Sequence, residues 1–191
     1  MFHAYPPVTW LQQAPAQRFP SSLTADDFKA LFRGQPGGVA VITADAGEGP
    51  VALTVSSVVS VSADPPLLIF SVSALSSASE VLLRADTVVV HLLDAHDVDL
   101  AKRGATPGAD RFDQTHRWST LATGEAVYDD ARAWVRCAVI NRMEVGTSTI
   151  IAVHALEFRM MRVVQAGEPG NALVYHNRSW HRLGEHSKLE D

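Results

Sequence analysis

Fourteen residues, Thr54-Val-Ser-Ser-Val-Val-Ser-Val-Ser-Ala-Asp-Pro-Pro-Leu67, constrain the fold of this chain more than any other stretch. Read as one strand, successive side chains point to opposite faces. One face carries Leu53, Val55, Val59, Val61 and Ala63, a set suited to burial. The other carries Thr54, Ser56, Ser60 and Ser62, interrupted by Val58. A face of small hydroxyls serves equally as a solvated strand surface or as a platform on which a flat, polar-edged ligand approaches the backbone. Periodicity alone leaves both readings open. Asp64-Pro65-Pro66 ends the run, because proline donates no ladder hydrogen bond.

The length of 191 residues fits one domain with a core large enough to need no disulfide or structural metal. An apolar fraction of 47% against 19% charged residues marks a globular chain. The net charge of −5, with no basic stripe, argues against nucleic acid as a partner. A single cysteine, Cys137, excludes an internal disulfide and fits a reducing cytoplasm. It lies in the alternating run Trp134–Ile140 and reads as a small buried hydrophobe. The N-terminus shows neither the basic nor the apolar region of a signal peptide, and no apolar run is long enough to span a membrane. A soluble cytoplasmic protein without a membrane partner is the expectation.

Residues 1–22 read as an arm that packs on a partner subunit through Phe2, Tyr5 and Trp10. Thr24 caps a helix whose apolar face is Phe28, Leu31 and Phe32. Strands are expected at 39–43, along the hydroxyl run, at 67–73 and at 87–93, with a short helix over 76–84. From 94 to about 124 no strand pattern is visible. A helix over 98–102 leads there into a loop or lid over 104–118. A hairpin joins 133–144 to 149–161 around Val145-Gly-Thr-Ser148, and strands at 172–176 and 180–183 close a domain running from 23 to 184. Residues 185–191 form a polar tail. Strands in hairpin order with a few short helices predict a mainly β fold, an antiparallel barrel with peripheral α-helices. No Gly-x-Gly-x-x-Gly follows a strand, so a Rossmann site is not supported.

Chemistry can reside in few places. Ser77 and Glu80 have capping-box spacing, yet Ser76, Ser77 and Ser79 at a helix N-terminus could equally hold a phosphate. Asp110-Arg-Phe112 is a short motif in the irregular segment. His176, His181 and His186 are spaced by five, which suits neither one helical face nor one strand face, so no metal is expected. His91, in a valine-rich strand, reads as a hydrogen-bonded, partly buried histidine.

Taken in order, Gly38–Thr43, Leu53–Leu67, Ser76–Ser79, Val88–Leu93, Asp110–Phe112 and Leu173–Arg178 resemble the flavin reductase family of the FMN-binding split barrel, over about residues 28–183. The resemblance implies an antiparallel, Greek-key-like split barrel that forms a homodimer with flavin near the subunit interface. It implies hydride transfer from NADH or NADPH to FMN or FAD, and a partner monooxygenase that receives the reduced flavin. Two other readings stay open: a non-enzymatic flavin-binding protein and an FMN-dependent oxidase. Thr54, Ser56 and Ser57 would face the ring and ribityl chain, with Ser60 and Ser62 as further cofactor contacts. Ser76, Ser77 and Ser79 would lie at the phosphate, with His91 and Arg111 as further cofactor contacts and Phe112 near flavin or nicotinamide. Family members commonly carry Gly-Asp-His in the late hairpin, where this chain has Gly146-Thr-Ser148. Ser148, with Phe112, is therefore the expected catalytic position. Members also commonly have Asn at the place of His91.

Overall fold

The computed structural model describes residues 22–163 and 171–189. The chain divides between Phe32 and Arg33 into two units. The first supplies all but the last residue of α1 (Ala25–Arg33). Thr24 caps it as expected: its hydroxyl accepts from the Asp27 N–H at 3.1 Å and donates to the Asp27 carboxylate at 2.6 Å. Phe28 and Phe32, one turn apart, bring their ring centroids to 4.6 Å. The arm expected over 1–22, with Phe2, Tyr5 and Trp10, lies outside the described residues apart from Ser22.

The second unit begins with β1 (Gly37–Gly38), β2 (Ala40–Ala44), β3 (Val51–Val55), β4 (Val59–Ala63) and β5 (Pro66–Ser73). Then come α2 (Ser79–Arg84), β6 (Thr87–Leu92), a 3₁₀ turn at Ala95–Asp97 and α3 (Val98–Ala105). Next are β7 (Trp118–Thr120), β8 (Ala126–Tyr128), β9 (Ala133–Val145) and β10 (Ser148–Met160), and finally β11 (Leu173–His176) and β12 (Ser179–Arg182). Seven strands pair antiparallel in the order β3-β2-β6-β9-β10-β5-β4.

The hydroxyl run is therefore two strands, not one. β3 pairs with β2 at one end of the sheet, and β4 pairs with β5 at the other. Residues 56–58 form a bend between them. Four Cα steps from Val55 to Val59 span at most about 14 Å. The two outer strands must therefore approach each other, and the sheet curls into a barrel whose last seam carries no ladder. The expected apolar face does not continue through the bend: Val55 is buried, while Val59 and Val61 on the outer strand β4 are 53% and 57% exposed.

β2 is buried along its whole length and parts two cores. Ala40, Ile42 and Ala44 face the barrel interior with Phe70, Val88 and Ile151. Val39 and Val41 face the other way, onto Leu100, Ala101 and Tyr128. Each fully buried Val, Leu or Ile contributes roughly 1.5–3 kcal/mol, so this strand is a main anchor of the fold. The β9–β10 hairpin turns through Gly146-Thr147, with Gly146 at φ +59°, a region glycine enters without strain. Register shifts at Ala152/Val153 and Ala155/Glu157 bend its long strands around the barrel. β7 lies inside the stretch expected to lack strands and forms a small hairpin with β8 just beyond it. Among the described residues no helix is long and apolar enough to cross a membrane.

Candidate active site

A cavity of about 210 Å³ opens where β11 and β12 meet the end of β3. It is lined by Val39, Thr54, Val55, Ser56, Ala105, Tyr175 and Trp180. Asn177 and Arg178, both at positive φ, turn the β11–β12 hairpin, so that Tyr175 and Trp180 face each other across the ladder with ring centroids 4.8 Å apart. β11 also pairs with β1, and β1 runs so close to the bend that a Cβ on Gly37 would lie 3.0 Å from the Ser56 Cβ and carbonyl. A side chain there would push the hairpin off the bend. The cavity thus has a small-residue polar edge and an aromatic wall.

The hydroxyls of the run have separate fates. Thr54 donates to the Ala101 carbonyl at 2.7 Å, so its oxygen is engaged in holding α3. Ser56 is exposed at the cavity. Ser57 accepts from the Ser71 N–H at 3.0 Å and ties the bend to β5. Ser71 and Ser73 lie on one face of β5, and Ser73 pairs with Ser148 on β10. A row of hydroxyl residues thus leads from Ser57 to Ser148. Its middle members, Ser71 and Ser73, escaped sequence reasoning although the Ser-Val-Ser alternation displays them. Ser60 and Ser62 sit on β4, apart from the cavity lining, opposite Leu68 and Leu67.

Ser76–Ser79 follows β5 directly. The Ser76 hydroxyl accepts from the Ala78 N–H at 3.3 Å, and Ala78 is the N-cap of α2 without a side-chain cap bond. The expected Ser77–Glu80 capping box is absent because the helix starts one residue late for it, with Ala78 as its N-cap. Ser77 is exposed, and Ser76 and Ser79 are half-buried. The turn before Ser148 adjoins this segment through the Ala74 N–H on the Thr147 carbonyl at 3.0 Å. Ser148 is consequently neighbour to the serine segment, while Phe112 lies beyond α3.

His91 requires correction. It is fully buried, its Nδ1 is 3.0 Å from the Val41 carbonyl, and its Nε2 accepts from the Tyr128 N–H at 3.0 Å. Both ring nitrogens are occupied by backbone, so the imidazole cannot touch a ligand. Burial pushes its pKa down to about 4 against the Val41 bond, and the ring is neutral at physiological pH. Arg111 is also turned inward: its guanidinium reaches the Thr106 carbonyl at 3.3 Å and its Nε is buried. Phe112 is half-buried, stacked on Tyr128 and packed against the same core as Tyr175 and Trp180.

A second cavity, of about 140 Å³, is lined by His96, His116, Arg117, Asp130, Arg162 and Tyr128 among others. Its arginines are already paired. Arg162 binds Asp94 and Asp97, and Arg117 lies 3.7 Å from Asp130. His176 and His181, which suit no single helix or strand face, meet across the β11–β12 turn with rings 5.5 Å apart. Among the described residues no three His, Cys, Asp or Glu side chains form a metal-binding group. Burial raises the Cys137 thiol to about 12, which leaves it inert as a nucleophile.

An antiparallel split barrel with a hydroxyl-edged, aromatic-walled cavity defines a class. Residues 32–184 match the model of the flavin reductase like domain. An NADH:FMN oxidoreductase of Rhodococcus erythropolis is 33% identical over 180 residues, covering 94% of this chain and 92% of that protein. An FMN reductase (NADH) RutF of Bradyrhizobium diazoefficiens is 32% identical over 148 residues, 76% of this chain and 78% of that one. Among solved structures, a flavin reductase domain protein from Arthrobacter sp. FB24 superposes with a TM-score of 0.77 at 26% identity, covering 88% of this chain and 99% of that one. BorF, the flavin reductase component of a bacterial two-component tryptophan halogenase, superposes with a TM-score of 0.73 at 27% identity, covering 85% and 99%. The chain belongs to the flavin reductase family and has its split-barrel fold. Its enzyme class is NAD(P)H:flavin oxidoreductase.

Proposed function

We propose that this chain transfers hydride from NADH to FMN as a cytoplasmic homodimer and delivers the reduced flavin to a partner monooxygenase. The observation that carries the reading is the cavity in which Ser56 and the small-residue edge face Tyr175 and Trp180, next to the hydroxyl row from Ser57. Flavin suits it chemically: a flat aromatic ring for the aromatic wall, and polar edges for hydroxyls and backbone. NADH and FMN are favoured by the names of the relatives at 33% and 32% identity.

Bound flavin supplies the hydride acceptor, so the chain needs few reactive side chains. Its own residues bind and orient. Ser56 and Ser57 offer hydroxyls along the polar edge of the ring, and Ser76, Ser77 and Ser79 offer them to the phosphate. Tyr175 and Trp180 exclude water from one side of the cavity, and Phe112 contributes an apolar surface for the nicotinamide. Alignment of the two rings is the main source of rate. Ser148, at the far end of the hydroxyl row, would handle a proton or orient the reductant.

Size and surface support the homodimer. Ordinary cofactor pockets hold about 300–1,000 Å³, and the cavity of one copy, about 210 Å³, supplies one wall of such a site. Val59 and Val61 on the outer strand β4, with Phe158 and Met160 on β10, expose apolar side chains that a second copy would cover. BorF, a reductase component by name, supports an oxygenase-type partner. The test is direct. Purified protein, FMN and NADH are mixed and absorbance at the nicotinamide band is followed; consumption dependent on FMN is expected. A protein that binds FMN and leaves NADH untouched overturns the reading.

A further inference from the structure

Between the end of α3 at Ala105 and the start of β7 at Trp118 the chain forms no helix or strand, so its backbone is held by side chains. Three consecutive carbonyls are each bound by a donor from a different element. Arg103 of α3 donates to the Asp110 carbonyl at 2.9 Å and also binds the Asp113 carboxylate. Tyr128 of β8 donates its O–H to the Arg111 carbonyl at 2.5 Å. Trp118 of β7 donates its indole N–H to the Phe112 carbonyl at 2.8 Å. The segment is the loop expected there, and these three bonds hold its backbone as a shelf.

The three supports differ in rigidity. Trp118 is 36% exposed, whereas Tyr128 is 2% exposed, and its own backbone N–H is fixed on the His91 imidazole. Tyr128 also lies flat on Phe112, with ring centroids 5.5 Å apart and planes 5° from parallel. Burial raises its phenol above the ordinary range, so it remains a donor at every physiological pH. Phe112 in turn packs on the core shared with Tyr175 and Trp180, the aromatic wall of the cavity. One buried side chain therefore fixes both the backbone and the ring of the Asp110–Phe112 motif.

We propose that Tyr128 is a positioning residue for the reductant, setting the Phe112 edge against which the nicotinamide docks. The proposal rests on the reading of the chain as an NADH:FMN oxidoreductase with Phe112 on the nicotinamide side. Tyr128 touches neither substrate. It acts by holding Phe112 in one place, a gain in pre-organisation for the transfer geometry.

The experiment is steady-state kinetics on the full chain with FMN and NADH. Tyr128→Phe deletes only the hydroxyl and keeps the stacked ring; Tyr128→Leu removes both. In Tyr128→Phe, kcat/KM for NADH should fall about fivefold, chiefly through KM, with KM for FMN moving less than twofold. Tyr128→Leu should fall further, and adding Tyr128→Phe to Phe112→Leu should cost no more than Phe112→Leu alone. A proportional fall of kcat for both substrates with both KM values unchanged, and a lowered melting temperature, means a structural role only and overturns the proposal. If Phe112→Leu raises KM for NADH and neither Tyr128 variant does, the proposal falls while the function stands. If Phe112→Leu leaves KM for NADH unchanged in an active enzyme, the placing of the nicotinamide fails. A wild-type protein inert to NADH overturns the proposed function itself.

Discussion

The Thr54 hydroxyl donates to the carbonyl of Ala101, 2.7 Å away, and so pins α3 to the outer strand β3. The contact is possible because Gly104 has no side chain: a Cβ there would stand 2.3 Å from the Thr54 oxygen. Gly104→Ala must turn that hydroxyl away, losing a hydrogen bond and crowding a packed contact. We expect destabilisation of about 2 kcal/mol, measured by urea unfolding. Combined with Thr54→Ala, which empties the space, the same substitution should cost less than the sum of the two. Additive costs would show that the close approach is not the cause.

Stability should respond to acid through His91. In the unfolded chain this group titrates near 6.5, and in the fold burial lowers it to about 4. Between those values the unfolded chain holds more protons, so stability is lost as the pH falls from 6.5 toward 4. The full loss is roughly 3 kcal/mol, and above 6.5 this residue adds no slope. Unfolding free energies of wild type and His91→Gln across this range provide the check; the variant should be flatter there by that amount.

The serine segment allows binding and folding to be separated. Because Ala78 caps α2 with no side-chain bond, Ser77→Ala removes no cap. Its melting temperature should stay within 1–2 °C of wild type, a surface-substitution effect. FMN affinity should drop about three- to tenfold, and likewise in Ser79→Ala, if these hydroxyls reach the phosphate. Unchanged titration curves in both would remove the phosphate from this segment.

Trp180 offers an optical reading of the cavity. FMN should quench its emission, and Trp180→Phe should abolish that part of the quenching while keeping affinity within about threefold. Trp180→Ala should weaken FMN binding about tenfold, the ~1.4 kcal/mol equivalent of a lost aromatic contact. Quenching of equal size in Trp180→Phe would place the ring elsewhere.

Ser148 pairs with Ser73 at the end of the hydroxyl row. An imidazole there reaches farther than a hydroxyl and carries a second nitrogen. Ser148→His is expected to raise kcat/KM for NADH about threefold without changing the dissociation constant for FMN. Identical rates would separate this turn from the reductant.

Local pattern accounts for much of this fold. Alternation along 133–145 and 148–160, with glycine at 146, announces the long hairpin, and it forms where expected. β7 and β8 stayed hidden because three residues are too few to show a period. The break in the hydroxyl run left one local trace, the loss of alternation at Ser57-Val58, but only the distant partners β2 and β5 reveal two strands. The same holds at the site. Ser56 and Ser57 stand out by composition, but Tyr175 and Trp180 become site residues only through the pairing of β11 with β1. His91 shows where a resemblance misleads: its valine-rich strand reads as that of a hydrogen-bonded histidine, which it is, and only the family position suggested a cofactor contact.

The seam of the barrel is closed by chain length. No ladder joins β3 to β4, and residues 56–58 alone set how far apart their ends can stand. The bend is therefore a ruler for the cavity mouth. One extra residue between Val55 and Val59 would leave every strand pair intact and still let the mouth widen by about 3 Å. A family built on this barrel can vary the size of its ligand opening there without touching its core.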